Sequence, residues 1–454
     1  MRTQRRPAIR ATQSFRLRPR LQAHAGFVTK LHAPRELVVL GTLTAILLNH
    51  SAIYGGINLS LADPVMLLTL VALAIARSAL LPVSISVFFC LLIASTIITA
   101  TVFTPAQFGV LPSLSPIVAD LAKLIICLLY LVCGAGIARL GLSISVLRGF
   151  TIAATLAALL GLVVQFAGIR AFSDVLYYAD IRYRGFMLDP NYWAVLSCAA
   201  IAFLLRDQAW SARLRIAMIL CITSAIVLSG SKTGQIVLIV FLTFSLAERA
   251  VRSRKRYTAF LAGIAGIIIV VASVPFTEGL ASLIERNTRA IPQLQRLGAL
   301  LNDPFAAVGE GGSGRIDAWA SGLEIVAASP IVGVGVGSYS SVTTALAGHS
   351  TLAHNTFLQI AAEWGLPLAA IFLAWLFATM GRATRIGWGK GSSSAVLIAR
   401  DMVAVFLIGS LSLSLNNARM FWFFLGMLVV LSVSSIHRGE KRLPTEPAAS
   451  VEES

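Results

Sequence analysis

Five side chains stand at spacings that suit chemistry on an anion: Arg182, Arg184, Lys232, Arg315 and His354. A guanidinium presents a planar fork of donors that grips phosphate bidentately, whereas an ammonium supplies charge without the fork. Cations placed where negative charge develops stabilise it. A neutral imidazole can accept the proton of an attacking hydroxyl. No Asp-x-Asp occurs in the chain, so the pattern assigns no metal and no cofactor, and fixed arginines can serve as the electrostatic clamp. Each residue also has a plainer reading. Arg182 and Arg184 could touch lipid headgroups or pair with Asp174 or Asp180. A lone histidine at a helix end is more often a hydrogen-bonded structural residue.

What must position these residues is almost wholly apolar. The 454-residue chain is 57% hydrophobic and only 13% charged, with mean hydropathy +0.82, against about 25% charged in soluble domains. Apolar runs of roughly 17–25 residues mark spanning helices. They fall at 36–54, 62–81, 83–102, 116–137, 146–167, 190–205, 214–230, 233–247, 258–276, 354–379, 396–415 and 419–436. Lipid admits only helices or a closed barrel, and these runs lack the alternation of barrel strands. The expected fold is therefore all-α, a polytopic membrane bundle of about twelve transmembrane helices, with a large periplasmic loop between helices 9 and 10.

Charge distribution sets the expected orientation. The net charge is +17, and residues 1–35 hold eight Arg and Lys30 without an acid. A second cluster, Arg249, Arg252, Arg254, Lys255 and Arg256, follows the eighth run. The positive-inside rule puts both segments, and both termini, in the cytoplasm. Residues 1–35 then form a basic cytoplasmic tail, and 36–276 carry helices 1–9 with a short periplasmic loop at 168–190. Residues 277–353 form the long periplasmic loop, 354–436 helices 10–12, and 437–454 a cytoplasmic tail. The basic tail attracts anionic membrane lipids rather than nucleic acid. An Arg-rich, acid-free start is also what an organelle transit peptide looks like. The five cysteines all lie in apolar runs without C-x-x-C spacing, as inert packing residues do.

Local signals refine this frame. Asp63-Pro64 and Asp189-Pro190 each read as a helix start, with Asp as cap and Pro in the first turn. Gly134-x-Gly136 permits close helix approach, and Lys123 is expected to snorkel outward. Ser229-Gly230-Ser231-Lys232-Thr233-Gly234 falls short of a nucleotide-binding loop, lacking the upstream glycine, and reads as a tight turn between two helices. In the long loop, Ile291, Leu294, Leu297 and Leu301 mark a surface helix. A second helix is expected from Ser313 as cap to Ser329-Pro330, with Arg315 in its first turn. Gly333-x-Gly335-x-Gly337 reads as a flexible turn back to the bilayer. His354 and Asn355 open the tenth span, and Glu363 lies further along it, where a carboxylate needs a partner or a role.

Taken in order, these pieces resemble the O-antigen ligase and O-antigen polymerase superfamily. The matching residues are Arg182-x-x-Gly185 with Asp189-Pro190-Asn191, the Ser229–Gly234 turn, and Ser313-Gly314-Arg315 with Trp319. Ser329-Pro330-x-x-Gly333-x-Gly335 and His354-Asn355-x-x-Leu358-Gln359 with Glu363-x-Gly365 complete them. They span about residues 180–366; Lys232 stands where the family often has Arg. The resemblance implies a metal-independent glycosyltransferase of the bacterial inner membrane, multi-pass, in lipopolysaccharide or exopolysaccharide biosynthesis, with 277–353 as its catalytic loop. It implies an undecaprenyl-diphosphate-linked glycan as donor, and lipid A-core (ligase) or a lipid-linked glycan (polymerase) as acceptor. The family's essential arginines carry over to Arg182 and Arg315 and its histidine to His354, with Arg184 and Lys232 as further diphosphate-binding candidates. The mechanism to expect is direct displacement with inversion, His354 as base. A polysaccharide or lipid transporter is the competing class; such proteins place charged residues and broken helices near the mid-membrane.

Overall fold

The structure, a computed structural model, describes residues 34–54, 57–111, 113–169, 173–179, 181–252, 315–350, 352–389 and 394–434. The basic tail, the ninth expected span, the surface helix around 291–301 and the cap at Ser313 lie outside the described residues. Helices dominate, because each apolar run must satisfy its own backbone in lipid. In order they are α1 (Arg35–Leu47), α2 (Ala62–Ile75), α3 (Val83–Ile98), α4 (Thr104–Phe108), α5 (Leu114–Arg139) and α6 (Ser143–Phe166). Then come α7 (Ser173–Leu176), α8 (Pro190–Arg206), α9 (Ala212–Leu228) and α10 (Lys232–Arg252). From Arg315 onward follow α11 (Arg315–Ala328), α12 (Tyr339–Ala347), α13 (Thr356–Trp364), α14 (Leu366–Trp388), α15 (Ser394–Gly409) and α16 (Arg419–Ser434). A π turn at Thr99–Phe103 joins α3 to α4. Among the described residues, five helical stretches are long and apolar enough to cross a membrane: Val83–Phe108, Leu114–Arg139, Ser143–Phe166, Lys232–Arg252 and Leu366–Trp388.

The fold is mostly helical, as expected, and several finer expectations need correction. First, two short hairpins interrupt the helices. The first run stops at Leu47, where Asn49 Nδ2 takes the carbonyl of Ile46 at 3.0 Å, and the chain continues as an antiparallel hairpin, β1 (Ala52–Tyr54) with β2 (Ile57–Leu59). A second small hairpin pairs β3 (Tyr177–Tyr178) with β4 (Arg182–Tyr183). Second, Asp63 is not the cap of α2; Ser60 Oγ takes the Ala62 amide instead. The Asp63 carboxylate accepts from Tyr130 Oη at 2.9 Å and pairs with Arg419 at 2.7 Å, tying α2 to α5 and α16. Lys123 likewise pairs with Asp120 at 2.7 Å rather than reaching outward alone.

Third, the tenth run is broken. Gly365 has φ +76°, and a Cβ there would lie 2.0 Å from the Ile331 carbonyl oxygen, so only glycine fits. The amides of Val334 and Gly335 reach the carbonyls of Ala362 and Glu363 at 2.8 and 3.0 Å, and Leu366 N reaches Pro330 O at 2.8 Å. These bonds satisfy the carbonyl end of α13. The Gly333–Gly337 segment is therefore a buried, hydrogen-bonded wedge rather than a flexible turn. Glu363 is buried beside it and accepts from Gln359 Nε2 at 2.8 Å.

Small residues bring the core helices together, as in other membrane bundles. A Cβ at Gly134 would meet the Phe423 carbonyl oxygen at 2.0 Å, and one at Gly426 the Leu131 oxygen at 2.0 Å, so α5 and α16 pack backbone to backbone. α8 is buried on all sides against α10 and α15. It runs from Asp189 at one end of the bundle to Arg206 at the other. At the Arg206 end, Arg206 and Arg400 share Glu248 and Asp401: Arg206–Asp401 is 2.7 Å and Arg400–Glu248 2.7 Å, and Trp388 Nε1 donates to Glu248 at 2.7 Å.

Candidate active site

The Asp189 end gathers most of the chemically equipped residues. Asp189 caps α8, accepting from the amides of Asn191 and Tyr192 at 2.6 and 3.2 Å. That cap aims the Asn191 side chain at two neighbours. Its Oδ1 accepts from Arg182 Nη2 at 2.9 Å and from Ser231 Oγ at 2.8 Å. Arg182, on β4, also donates through Nε to the Ser229 carbonyl at 3.1 Å. The guanidinium is thus held in orientation by the α9–α10 turn. That turn has Gly230 at φ +57°, and Ser231 Oγ accepts the Gly234 amide at 3.0 Å, which starts α10.

One residue further on, Thr233 Oγ1 receives Arg315 Nη2 at 3.2 Å, and Ser412 Oγ lies 3.2 Å from the same atom. Arg315 is the first residue of α11 and half-buried. Among the described residues it forms no ion pair.

His354 stands just before the cap of α13. Asn355 Oδ1 accepts the Leu358 amide at 3.1 Å, and its Nδ2 donates to Leu411 O at 3.2 Å. Thr356 is fastened to the α15–α16 loop through Ser410 O at 2.8 Å and Leu413 O at 2.7 Å. With the following residues pinned, His354 takes φ +46°, a left-handed conformation uncommon for a residue with a side chain. Such outliers concentrate at functional sites. Burial, together with the Arg315 charge, holds its imidazole below the usual histidine range, against the opposing pull of Asp189. Burial also lowers the Arg315 guanidinium, with Asp189 pulling the other way.

Helices α8, α10, α11 and α13 therefore all begin in one hydrogen-bonded neighbourhood. Each N-terminus contributes partial positive charge, which favours an anion. Lys232 is the first residue of α10, half-buried, between Ser231 and Thr233. Arg184 is placed differently. It spends its donors on the carbonyls of Asp174 (2.7 Å), Val175 (3.3 Å) and Leu188 (3.3 Å), and so braces its own loop. Asn191, Thr233 and Ser412 were not singled out from the sequence. Asn191 stood inside a quoted motif; Ser412 lies far from Thr233 in the chain, with no local signal to link them.

Residues 216–373 match the family model described as O-Antigen ligase. No curated protein matches the chain. The matched segment holds Thr233, Arg315 and His354, while Arg182 and Asn191 lie before it and join it only in space.

Proposed function

We propose that the chain is a glycosyltransferase of the O-antigen ligase and polymerase superfamily, a reading supported by the family-model match over residues 216–373. It takes a glycan from undecaprenyl diphosphate and moves it to an acceptor sugar at the periplasmic face of the inner membrane. About twelve spans, cytoplasmic termini and a periplasmic 277–353 complete the reading. The observation that carries it is that Arg182 and Arg315 are tied to the starts of α8 and α10 through Asn191, Ser231 and Thr233, with His354 near enough to feel the charges of Arg315 and Asp189.

The chemistry follows from the parts. Arg182 and Arg315 bind the diphosphate and stabilise its charge as the bond to the anomeric carbon breaks. Lys232 adds charge beside them. The acceptor hydroxyl oxygen attacks that carbon from the opposite side, which inverts it, and the hydroxyl proton passes to the His354 imidazole. The electron pair of the broken bond leaves on the diphosphate. An imidazole kept neutral by burial is suited to receive that proton. Arg184 acts indirectly, holding the loop that carries Arg182.

Purified protein given an undecaprenyl-diphosphate-linked glycan and an acceptor should form a new glycosidic bond. Movement of the lipid-linked glycan across the bilayer without bond formation would make the protein a transporter instead. Within the enzyme reading, a deletion strain separates the two acceptors. Lipid-linked polymer accumulating beside bare core identifies a ligase; single repeat units without long chains identify a polymerase.

A further inference from the structure

Threonines inside the helices of this protein return their hydroxyl to the carbonyl four residues back, a common habit of that side chain. Thr151 Oγ1 donates to Leu147 O and Thr379 Oγ1 to Trp375 O, each at 2.9 Å. Thr356 does not. It is the first residue of α13, and its hydroxyl crosses to the α15–α16 connection. There it donates to Leu413 O at 2.7 Å and accepts the Leu415 amide at 2.7 Å, so its proton and a lone pair are both spent on backbone groups. Its own amide, one of those a helix leaves open at its start, donates to Ser410 O at 2.8 Å. Three hydrogen bonds thus fasten one residue, two places after His354, to a turn that belongs to other helices. The same turn reaches the other helix starts. Ser412 Oγ donates at 3.2 Å to Thr233 Oγ1, the atom that receives Arg315 Nη2, and Tyr192 Oη of α8 donates to Ser414 O.

We propose that Thr356 is a positioning residue for His354, holding the imidazole in register with Arg315 through the α15–α16 connection. This rests on the proposed function, in which His354 receives the acceptor's proton, and adds what keeps it in place. His354 needs outside support. Its φ of +46° is one that a residue with a side chain holds only where its surroundings impose it. Such a backbone turn also sets the direction in which Cβ leaves the chain, so whatever fixes the residues on either side aims the ring. On one side Ala353 is fully buried, in a cluster with Ile325, Val334 and Tyr339. On the other stand Asn355 and Thr356. The Asn355 side chain reaches Leu411 O at 3.2 Å in an exposed position, whereas the Thr356 hydroxyl bonds are shorter and partly buried. Ser412, which bonds to Thr233, lies between Ser410 and Leu413, which bond to Thr356. His354 and Arg315 therefore share one support.

The test uses the full chain in phospholipid nanodiscs, with an undecaprenyl-diphosphate-linked glycan as donor. Thr356→Val keeps the shape of the side chain and removes its hydroxyl; Thr356→Ser keeps the hydroxyl. Thr356→Val should lower kcat about a hundredfold, the scale of a misplacement of about 1 Å. Donor KM should stay at the wild-type value, because the arginines remain, and Thr356→Ser should keep most of the wild-type kcat. In a His354→Ala background Thr356→Val should cost nothing further, since a residue that acts through the imidazole then has nothing to position. An equal loss with and without His354 would overturn the proposal. So would a normal kcat in Thr356→Val, or a Thr356→Ser protein as slow as Thr356→Val. Thr356→Ala removes the hydroxyl without setting a methyl against the two backbone groups, and takes the place of Thr356→Val if that variant does not fold. If neither accumulates as folded protein, the residue serves stability and the proposal falls. Nuclear magnetic resonance of histidine-labelled protein gives a readout independent of transfer. The His354 ring signal, identified by its loss in His354→Ala, should be displaced in Thr356→Val and stay in place in Thr356→Ser; an undisplaced signal in Thr356→Val would overturn the proposal. If no donor supports transfer, the proposed function fails, and this signal still decides whether Thr356 holds the imidazole.

Discussion

Arg315 and Arg400 sit at opposite ends of the same helices, and their surroundings differ in kind. Arg400 is buried against two carboxylates, Glu248 and Asp401, which also hold Arg206. Its charge is spent within the protein, and the network joins α8, α10 and α15 at that end. Arg315 takes a neutral hydroxyl, Thr233 Oγ1. The acid in its neighbourhood, Asp189, is occupied with the first amides of α8. A buried arginine matched by carboxylates is architecture, and breaking one side strands a charge. An arginine oriented by a neutral oxygen has no such partner to strand, and under the proposed function its charge meets the diphosphate.

The sharpest test of this contrast is His354→Ala, which should lower turnover by about a hundred- to ten-thousandfold, the range of a lost general base. Donor affinity should persist, because the arginines remain. With an imidazole held below the usual histidine range, the wild-type rate should stay level down through that range and fall only at lower pH, as the base becomes protonated. Normal turnover per folded molecule in the variant would remove the histidine from the mechanism.

Arg400→Ala leaves Glu248 and Asp401, both buried, to share Arg206 alone and should cost roughly 3–5 kcal/mol of stability. The loss should appear as less folded protein in the membrane, with near-normal turnover for what folds. A pure rate defect would erase the distinction between the two ends. Arg315→Ala should do the reverse: normal amounts of protein, with a rate reduced about a hundred- to thousandfold, about 2.7–4 kcal/mol. Arg315→Lys should recover only part of it, since an ammonium lacks the bidentate fork.

Asn191→Ala should act more weakly. It removes one hydrogen bond to the Arg182 cation, and a loss of roughly ten- to a hundredfold is expected from a bond worth roughly 1.5–3 kcal/mol. The loss should fall mainly on donor KM, and Asn191→Asp should not restore binding, because a carboxylate would neutralise Arg182. The smallest expected effect is that of EDTA, which should leave the rate unchanged if arginines act as the clamp. Complete loss restored by magnesium would refute that clamp.

Much of the scaffold was legible because lipid permits so few backbones. The starts of α8 and α10 and the end of α11 could be read from Asp189-Pro190, from the glycine turn at 230 and from Ser329-Pro330, all local signals acting within a turn of helix. Arg315, His354 and Arg182 stood out because cations and a histidine in an apolar chain need a reason. Arg184 looked equivalent to Arg182, two residues away with the same side chain. Arg182 lies on β4 and Arg184 just past its end, and the two guanidiniums meet different partners, which composition cannot reveal.

Hydropathy could not foresee the break at Gly365, since the run through it stays apolar. The break depends on the Ile331 carbonyl pressing on that position from a distant loop. The same holds for the glycine wedge at 333–337, whose spacing signals only freedom until neighbouring carbonyls claim its amides. The sequence by itself determined which segments are apolar, where several helices begin and which side chains carry charge, because those properties reside in one residue or one helical turn. Tertiary structure alone decided that Asn191 meets Arg182, that Thr233 meets Arg315, and that Arg400 lies against two carboxylates while Arg315 forms no ion pair among the described residues. Each of those outcomes depends on two or more helices meeting at a few ångströms, a relation that no single stretch of chain contains.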